Sequence, residues 1–186
     1  ALPIYFTAST AGTKQVFQVN FDNNVAEVQQ ITRGQFDIRS IVGQSGNKLV
    51  VNRTDMNHAN ELFTVDLKIR ALTRLTNVNK DFYSKIGMSK VEKRIIKTAD
   101  EQAMLVWVIY PPNFDASKKY PTLLYCQGGP QSALSQFYSS RWNFQLMAAN
   151  GYIVVAPNRR GMPGHGVKWN EAISGDYGGM PMQDYL

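Results

Sequence analysis

The chain has 186 residues, of which 44% are hydrophobic and 18% are charged, a balance typical of a globular protein and unlike that of a disordered one. Its apolar runs fall short of the ~18 residues needed to cross a bilayer, so no membrane span is expected. The formal net charge of +6 is scattered along the chain without interleaved aromatic residues, so nucleic-acid binding is not expected either.

The single cysteine, Cys126, excludes an internal disulfide and a thiolate metal cluster. It lies in an apolar run, where we expect a small buried side chain rather than a nucleophile. The sequence indicates no cofactor and no metal ion. It does not distinguish a periplasmic from a cytoplasmic location. The first residue is Ala1 rather than Met, which is consistent with excision from a longer chain.

Residues 1–84 alternate apolar and polar side chains in short runs separated by turn residues, which predicts antiparallel strands. Two runs, 15–21 and 61–67, resemble each other at an offset of 46 (61 − 15 = 46). Each is followed by a further run that ends at a threonine, Thr32 or Thr76. This spacing is typical of β-propeller blades, and we expect about two of them. A plain meander or sandwich is the alternative.

From about Lys85 the pattern changes to longer strands and then to a strand–helix–strand unit. Residues 91–97 and 102–110 predict a long hairpin. The continuous apolar run 122–126 predicts a strand buried on both faces of a parallel sheet.

A helix is predicted over residues 139–150, since Tyr138, Trp142, Leu146 and Ala149 fall on one helical stripe. Ser139 or Ser140 is available as the N-cap. A second apolar strand over residues 152–156 then completes a β-α-β crossover.

Functional loops of doubly wound sheets follow the carboxyl ends of the strands, which here are residues 127–130 and 158–166. The adjacent glycines Gly128 and Gly129 allow a sharp turn that presents backbone N–H groups to a pocket. Such a turn supplies one donor of the oxyanion hole in α/β-hydrolases. The alternative is a glycine turn that only redirects the chain.

Two strings carry a resemblance to a known family: residues 119–131, KYPTLLYCQGGPQ, and residues 150–161, NGYIVVAPNRRG, with the glycines at 164 and 166 and the sequence DYGG at 176–179. In order and spacing they resemble the prolyl oligopeptidase family of serine peptidases, which includes dipeptidyl peptidases and acylaminoacyl peptidases. The resemblance covers about residues 85–186.

The resemblance implies a fold of mixed class, α/β plus all-β. Residues 1–84 are then a partial β-propeller of terminal blades, and residues 85–186 the N-terminal part of an α/β-hydrolase domain that stops before the nucleophile. The parent protein is expected to hydrolyse short peptides by Ser-Asp-His acyl transfer, as a dipeptidyl or acylaminoacyl peptidase.

The resemblance also assigns roles to residues. Gln127, Gly128, Gly129 and Arg160 are expected to form the oxyanion and substrate pocket. No G-x-S-x-G sequence occurs in the chain, and the triad order in this fold is Ser, Asp, His. No catalytic triad residue is therefore expected in this chain.

Because they would precede the missing serine, His165, Asp176 and Asp184 are excluded from the triad on this interpretation. Gln127 stands where the family often has His or Tyr, which leaves its own role open. The alternative function is a non-catalytic β-rich binding module fused to a degenerate hydrolase scaffold. A peptide is the expected partner, and homo-oligomerisation is possible.

Overall fold

Residues 2–22 and 25–186 are described in the computed structural model, and they divide into two units. The first unit contains the residues up to Ser84 together with Ser135–Tyr138. The second contains Lys85–Leu134 and Ser139–Leu186. Within the described residues, no helix is both long enough and apolar enough to cross a membrane.

The strands of the first unit form two antiparallel groups. The first group is β1 (Ile4–Thr10), β2 (Thr13–Asp22) and β3 (Val25–Gln30). The second pairs in chain order and consists of β4 (Asp37–Ser45), β5 (Lys48–Asp55), β6 (His58–Asp66) and β7 (Leu72–Arg74). One parallel pair, Lys14 opposite Asp37, joins β2 to β4. A short helix, α1 (Lys80–Tyr83), follows. The antiparallel strands predicted from the alternating pattern are confirmed.

A threonine clasp closes the first group of strands. Val16 N donates to Thr32 Oγ1 at 2.9 Å, and Ile31 N donates to Val16 O at 2.8 Å. Thr32 Oγ1 in turn donates to Gln15 Oε1 at 2.7 Å. All four residues are buried.

The second group carries the same arrangement, with Glu61, Leu62, Leu75 and Thr76 in the corresponding places. Leu62 N donates to Thr76 Oγ1 at 2.9 Å, and Leu75 N donates to Leu62 O at 2.8 Å. Thr76 Oγ1 donates to the Glu61 carboxylate. The repeat found in the sequence is therefore also a repeat of hydrogen bonds.

Apolar side chains from both groups form one core, which explains why the two groups fold together. Its buried members are Val16, Ile31, Phe36, Ile38, Leu49, Val51, Phe63 and Val65. Asp37 is also buried, and it accepts hydrogen bonds from Lys14 N at 2.8 Å, Ser135 Oγ at 2.5 Å and Gln136 N at 3.1 Å. The carboxylate thus fastens residues 135–138 to this unit.

The second unit is built on a mixed sheet in the order β10-β11-β9-β8. β8 (Val91–Lys97) and β9 (Ala103–Ile109) form the predicted hairpin. β9 is the central buried strand, because every residue from Met104 to Ile109 is buried. Two short helices near the end of the chain, α3 (Val167–Glu171) and α4 (Met180–Gln183), follow the sheet.

The predicted β-α-β crossover is confirmed, since β10 (Thr122–Leu124) and β11 (Ile153–Pro157) are parallel neighbours with α2 (Phe144–Ala149) between them in the chain. The predicted bounds and buried stripe of α2 are wrong. The helix begins after Asn143, whose side chain accepts from Leu146 N at 3.2 Å and caps it.

The serine expected to cap the helix has another role: Ser139 Oγ accepts from Trp142 N at 2.9 Å in a separate turn upstream. Phe144 and Ala148 are the buried residues of α2. Trp142 and Leu146, which the predicted stripe placed in the core, are exposed.

The burial predicted for the strand at 122–126 is also wrong. All three residues of β10 are exposed, as is Cys126. The reason lies in the strand order: among the described strands, β10 is at the edge of the sheet, next to β11.

Candidate functional site

The carboxyl ends of β10 and β11 place two loops side by side: the glycine loop, residues 125–134, and the arginine loop, residues 158–166. Leu124 lies opposite Val155, and Tyr125 N continues the ladder by donating to Val155 O at 2.8 Å. Because the two strands are parallel, the loops leave the sheet at the same edge.

Asn158 fixes the far end of the glycine loop. Its side-chain amide forms a pair of hydrogen bonds with the backbone of Leu134. Nδ2 donates to Leu134 O at 2.9 Å, and Oδ1 accepts from Leu134 N at 3.1 Å. Trp107 Nε1 also donates to Leu134 O, at 3.0 Å. Asn158, Leu134 and Trp107 are all buried, so this anchor is shielded from water.

Gly129 is the position where the turn needs a glycine. Its φ is +130°, and a Cβ there would lie 2.7 Å from Ser132 Cβ. Gly128 has no positive φ, and a Cβ there would meet nothing within 4 Å. The two glycines of the predicted turn are therefore not equivalent: a side chain would be strained at Gly129 but not at Gly128.

The side chain of Arg159 spans the turn from one end to the other. Its Nη2 donates to Gln127 O at 3.2 Å and to Pro130 O at 3.1 Å, so one nitrogen holds the carbonyls on both sides of Gly128 and Gly129. Its Nη1 donates to Arg160 O at 2.5 Å. Arg159 is buried, which makes these bonds stronger than they would be in water.

Sequence reasoning missed Arg159 and chose its neighbour Arg160. Both arginines follow a strand and precede a glycine, so the pattern alone does not say which side chain turns toward the glycine loop. One usable signal is Gly161, whose φ is +96° and where a Cβ would lie 2.8 Å from Arg159 Nη1. Trp169 Nε1 completes the support by donating to Arg159 O at 3.1 Å.

Arg160 instead forms an ion-pair network, in which Arg160 and Asp184 are buried and Asp100 is exposed. Its Nη2 contacts the carboxylates of Asp100 and Asp184, the latter at 3.2 Å, and donates to Thr98 Oγ1 at 3.2 Å. Its backbone N donates to Asp184 Oδ2 at 2.8 Å. Two carboxylates on one guanidinium tie the β8–β9 turn and the residue after α4 to the arginine loop.

The pKa values of the two carboxylates are shifted in opposite directions from that of an ordinary aspartate. Hydrogen bonds from Thr98 and Arg160 lower the pKa of Asp100. Burial raises the pKa of Asp184, and the bond from Arg160 N opposes that effect only in part. The hydrogen bond and the charge of Arg160 therefore favour the ionised form of Asp184, against the effect of burial.

A cavity of about 330 Å³ adjoins this network, lined by Asp100, Gln102, Arg160, His165, Lys168, Trp169 and Ala172. His165 Nε2 is buried and has no hydrogen-bond partner among the described residues. Burial lowers the pKa of His165, and the charge of Lys93 lowers it further, which favours the neutral form of the ring.

The structure thus separates the predicted site residues into two groups. Gln127, Gly128 and Gly129 lie in the turn that Arg159 holds. Arg160 makes its contacts at the cavity instead. Of the residues excluded from the triad, Asp176 accepts a hydrogen bond through Oδ2 from the backbone N of Met180, the first residue of α4, at 3.1 Å.

Comparison with known proteins places this arrangement in context. Residues 138–186 match the model of the prolyl oligopeptidase family. The dipeptidyl-peptidase 5 of Porphyromonas endodontalis is 48% identical over 98% of this chain, and that of Porphyromonas gingivalis is 44% identical over the same share. The chain spans about a quarter of the length of these relatives, 26% in each case.

Among solved structures, an acylaminoacyl peptidase of Pyrococcus horikoshii superposes with a TM-score of 0.83. The match covers 99% of this chain and 28% of that protein at 23% identity, so it bears on the fold alone. The family match and the two close relatives together carry the assignment: this chain belongs to the prolyl oligopeptidase family.

Proposed function

We propose that these residues are a middle part of a serine peptidase that releases dipeptides from short peptides by acyl transfer. The two relatives with 48% and 44% identity over nearly the whole chain both have the name dipeptidyl-peptidase 5. The chain contains no G-x-S-x-G sequence, so the nucleophile of the proposed Ser-Asp-His triad lies in the part of the protein outside this chain.

The role of this chain is to hold one side of the oxyanion hole. A single observation carries that proposal: Arg159 bonds the carbonyls of Gln127 and Pro130 and so fixes the intervening Gly128-Gly129 turn. A rigid turn keeps a backbone N–H aimed at the developing negative charge without reorganisation during the reaction. Gln127 is a second possible donor through its side-chain amide.

Arg160 remains a candidate for the substrate pocket, because it lines the 330 Å³ cavity. Its two ion pairs support a second role in ordering the arginine loop.

We assign residues 1–84 to a partial propeller. β4–β7 then form one four-stranded blade, and β1–β3 form three strands of another. The repeated threonine clasp supports this assignment, because equivalent hydrogen bonds recur at the spacing of one blade. Residues 85–186 are assigned to the first part of an α/β-hydrolase domain.

The test uses the full-length protein and two chromogenic substrates, a dipeptidyl p-nitroanilide with a free N-terminus and an acetylated aminoacyl p-nitroanilide. The proposal expects turnover of the first, little turnover of the second, and loss of activity with a serine-directed inhibitor. Preference for the acetylated substrate would assign the protein to the acylaminoacyl type. Turnover of neither would contradict the peptidase assignment and favour the non-catalytic module.

A further inference from the structure

Two arginines of the first unit share one aromatic ring. Arg53 Cζ lies 4.2 Å from the ring centroid of Phe36 and 4.7 Å from that of Phe63. Arg74 Cζ lies 5.0 Å from the same Phe63 centroid. Strand pairing explains the arrangement, because Phe63 on β6 is opposite Arg74 on β7, and Arg53 on β5 is opposite Glu61 on β6.

The positive charges of this pair are not neutralised by hydrogen-bonded carboxylates. Arg74 Nη1 donates to Asn77 Oδ1 at 3.4 Å. The guanidinium of Arg53 has no hydrogen-bond or ion-pair partner within residues 2–22 and 25–186. Burial lowers the pKa of Arg53, Asp55 opposes this, and the charge of Arg74 adds to the lowering. The two like charges therefore stand close together at a cost in Coulomb energy.

The two nearby carboxylates are already engaged elsewhere. Glu61, which is 5% exposed, accepts from Thr76 Oγ1 and from Val78 N at 2.8 Å. Asp55 Oδ1 accepts from Asn57 N at 2.9 Å and lies 2.8 Å from His58 Nδ1. The groups of this cluster that remain available for further hydrogen bonds are therefore mainly the N–H donors of the two arginines.

A cavity adjoins the arginine pair. It has a volume of about 380 Å³ and is lined by His58, Glu61, Arg74, Asn77, Lys80, Tyr83 and Ser84. This is within the range of small-molecule sites. A narrow cleft of about 20 Å³, lined in part by Arg53, Phe63 and Arg74, shares His58, Glu61 and Arg74 with it. The cleft has room for a group no larger than a water molecule.

We infer that Arg53 and Arg74 bind the carboxylate of a small anionic ligand, and that the rest of the ligand occupies the cavity beside Tyr83 and Lys80. A planar carboxylate presents two oxygens in the geometry that the guanidinium fork accepts. The narrow cleft has room for a single carboxylate oxygen, which is about the size of a water molecule. This site goes beyond the proposed peptidase activity and does not depend on it.

Isothermal titration of the full-length protein with succinate tests the inference, with inorganic phosphate as the competing anion. Arg74→Gln is the principal variant, because Arg74 is exposed and its loss leaves the core intact. Arg39→Gln is the matched control, an exposed arginine on β4. Arg53→Lys keeps the charge but removes the fork.

We expect succinate to bind the wild type and Arg39→Gln equally, and to bind Arg74→Gln at least about tenfold more weakly. Arg53→Lys should also weaken binding; if it does not fold by circular dichroism, Arg74→Gln decides alone. Three results would overturn the inference: no binding of succinate to the wild type, equal affinity in Arg74→Gln and Arg39→Gln, or tighter binding of phosphate than of succinate.

Discussion

Arg159 and Gly129 act together at the glycine turn. The guanidinium bonds the carbonyls at both ends of the turn, and the positive φ of Gly129 lets the chain pass between them. Gly161 leaves the space that the Arg159 side chain occupies. A side chain at Gly129 would have to displace Ser132 and adopt a φ that L-residues rarely take, whereas a methyl group at Gly128 would meet no atom within 4 Å.

We therefore predict that Gly129→Ala in the full-length protein lowers kcat for a dipeptidyl substrate by at least about tenfold, because the oxyanion donor is displaced. Gly128→Ala is the matched control and should keep kcat within about twofold of the wild type. Steady-state kinetics on the three proteins, with folding checked by circular dichroism, measures this. Equal losses of kcat in both variants would contradict the inference that the turn requires glycine at Gly129 but not at Gly128.

Gln127→Ala separates the two possible oxyanion donors. Since Arg159 bonds the backbone carbonyl of Gln127, the substitution leaves the turn in place. We expect little change in kcat, because we propose that the donor is a backbone N–H of the turn rather than the Gln127 side chain. A loss of about 10² in kcat with KM preserved is what removal of a side-chain donor produces, and it would move the role to the Gln127 amide.

Asp37 gives a prediction about pH. Burial raises its pKa above the ordinary aspartate value even though three donors surround it. A raised folded pKa means that the wild type loses unfolding free energy as the pH rises from the unfolded pKa, near 3.8, through the folded pKa. Asp37→Asn retains an oxygen for the two N–H donors and can donate to Ser135 Oγ, so it avoids that loss.

Urea unfolding of the full-length wild type and of full-length Asp37→Asn at a series of pH values should therefore show the stability of the wild type falling relative to the variant as the pH rises above the unfolded pKa. Asp37→Ala should cost about 3 kcal/mol at pH 7, because three donors lose their acceptor. If the unfolding free energy of the wild type instead rises relative to that of Asp37→Asn as the pH increases, the pKa of Asp37 in the folded protein is lowered rather than raised.

At the scale of elements, the two threonine clasps share a geometry but differ in chemistry. Gln15 Nε2 donates to Phe36 O at 2.8 Å and to Gly34 O at 3.2 Å. Glu61, at the corresponding place, accepts from Val78 N at 2.8 Å. The amide therefore suits carbonyl neighbours in the first clasp, and the carboxylate suits an N–H neighbour in the second.

Exchanging these residues should have unequal effects. Gln15→Glu places a buried carboxylate against two carbonyl oxygens and should cost about 3–5 kcal/mol of unfolding free energy at pH 7. Glu61→Gln keeps an acceptor for Val78 N and should cost about 1 kcal/mol. Denaturant unfolding of the full-length variants, followed by far-UV circular dichroism, measures both losses. Equal losses of unfolding free energy would contradict the hydrogen bonds assigned to Gln15 and Glu61.

The strands were the part of the fold that the sequence predicted well, because alternation with period two reports burial on one face. It predicted the repeat as well, since Gln15 and Glu61 stand at the same place in two similar runs. Burial of the strand at 122–126 was not predictable from its apolar residues, because burial depends on neighbouring strands that composition does not reveal.

Other features depended on competing local contacts. The start of α2 was misplaced because serine and asparagine both cap helices. Asn143 accepts from Leu146 N at the start of α2, whereas Ser139 accepts from Trp142 N in a separate turn. In the candidate site the turn was found from its glycines. Arg159 was not identified from the sequence, because Arg159 and Arg160 both follow a strand and precede a glycine. Only the path of the backbone determines which of the two side chains reaches the glycine loop.

At the scale of the whole molecule, the 186-residue chain presents two sheet edges in its second unit. β10 has exposed Leu123 and Leu124, and β8 has exposed Ile95 and Ile96. Exposed apolar edge strands pair readily with other chains. We predict that the isolated chain associates at micromolar concentration or unfolds without a sharp transition. Light scattering and a thermal melt measure this, and a strictly monomeric sample with a cooperative melt would contradict it.

The most direct test of the account compares the isolated chain with the full-length protein in one labelling experiment with a fluorescent fluorophosphonate, which reacts with activated serines. The chain is proposed to supply the oxyanion turn and not the nucleophile. We predict labelling of the full-length protein together with turnover of the dipeptidyl substrate, and neither labelling nor turnover for the 186-residue chain. Labelling of a serine within the chain, with turnover that the reagent abolishes, would contradict it.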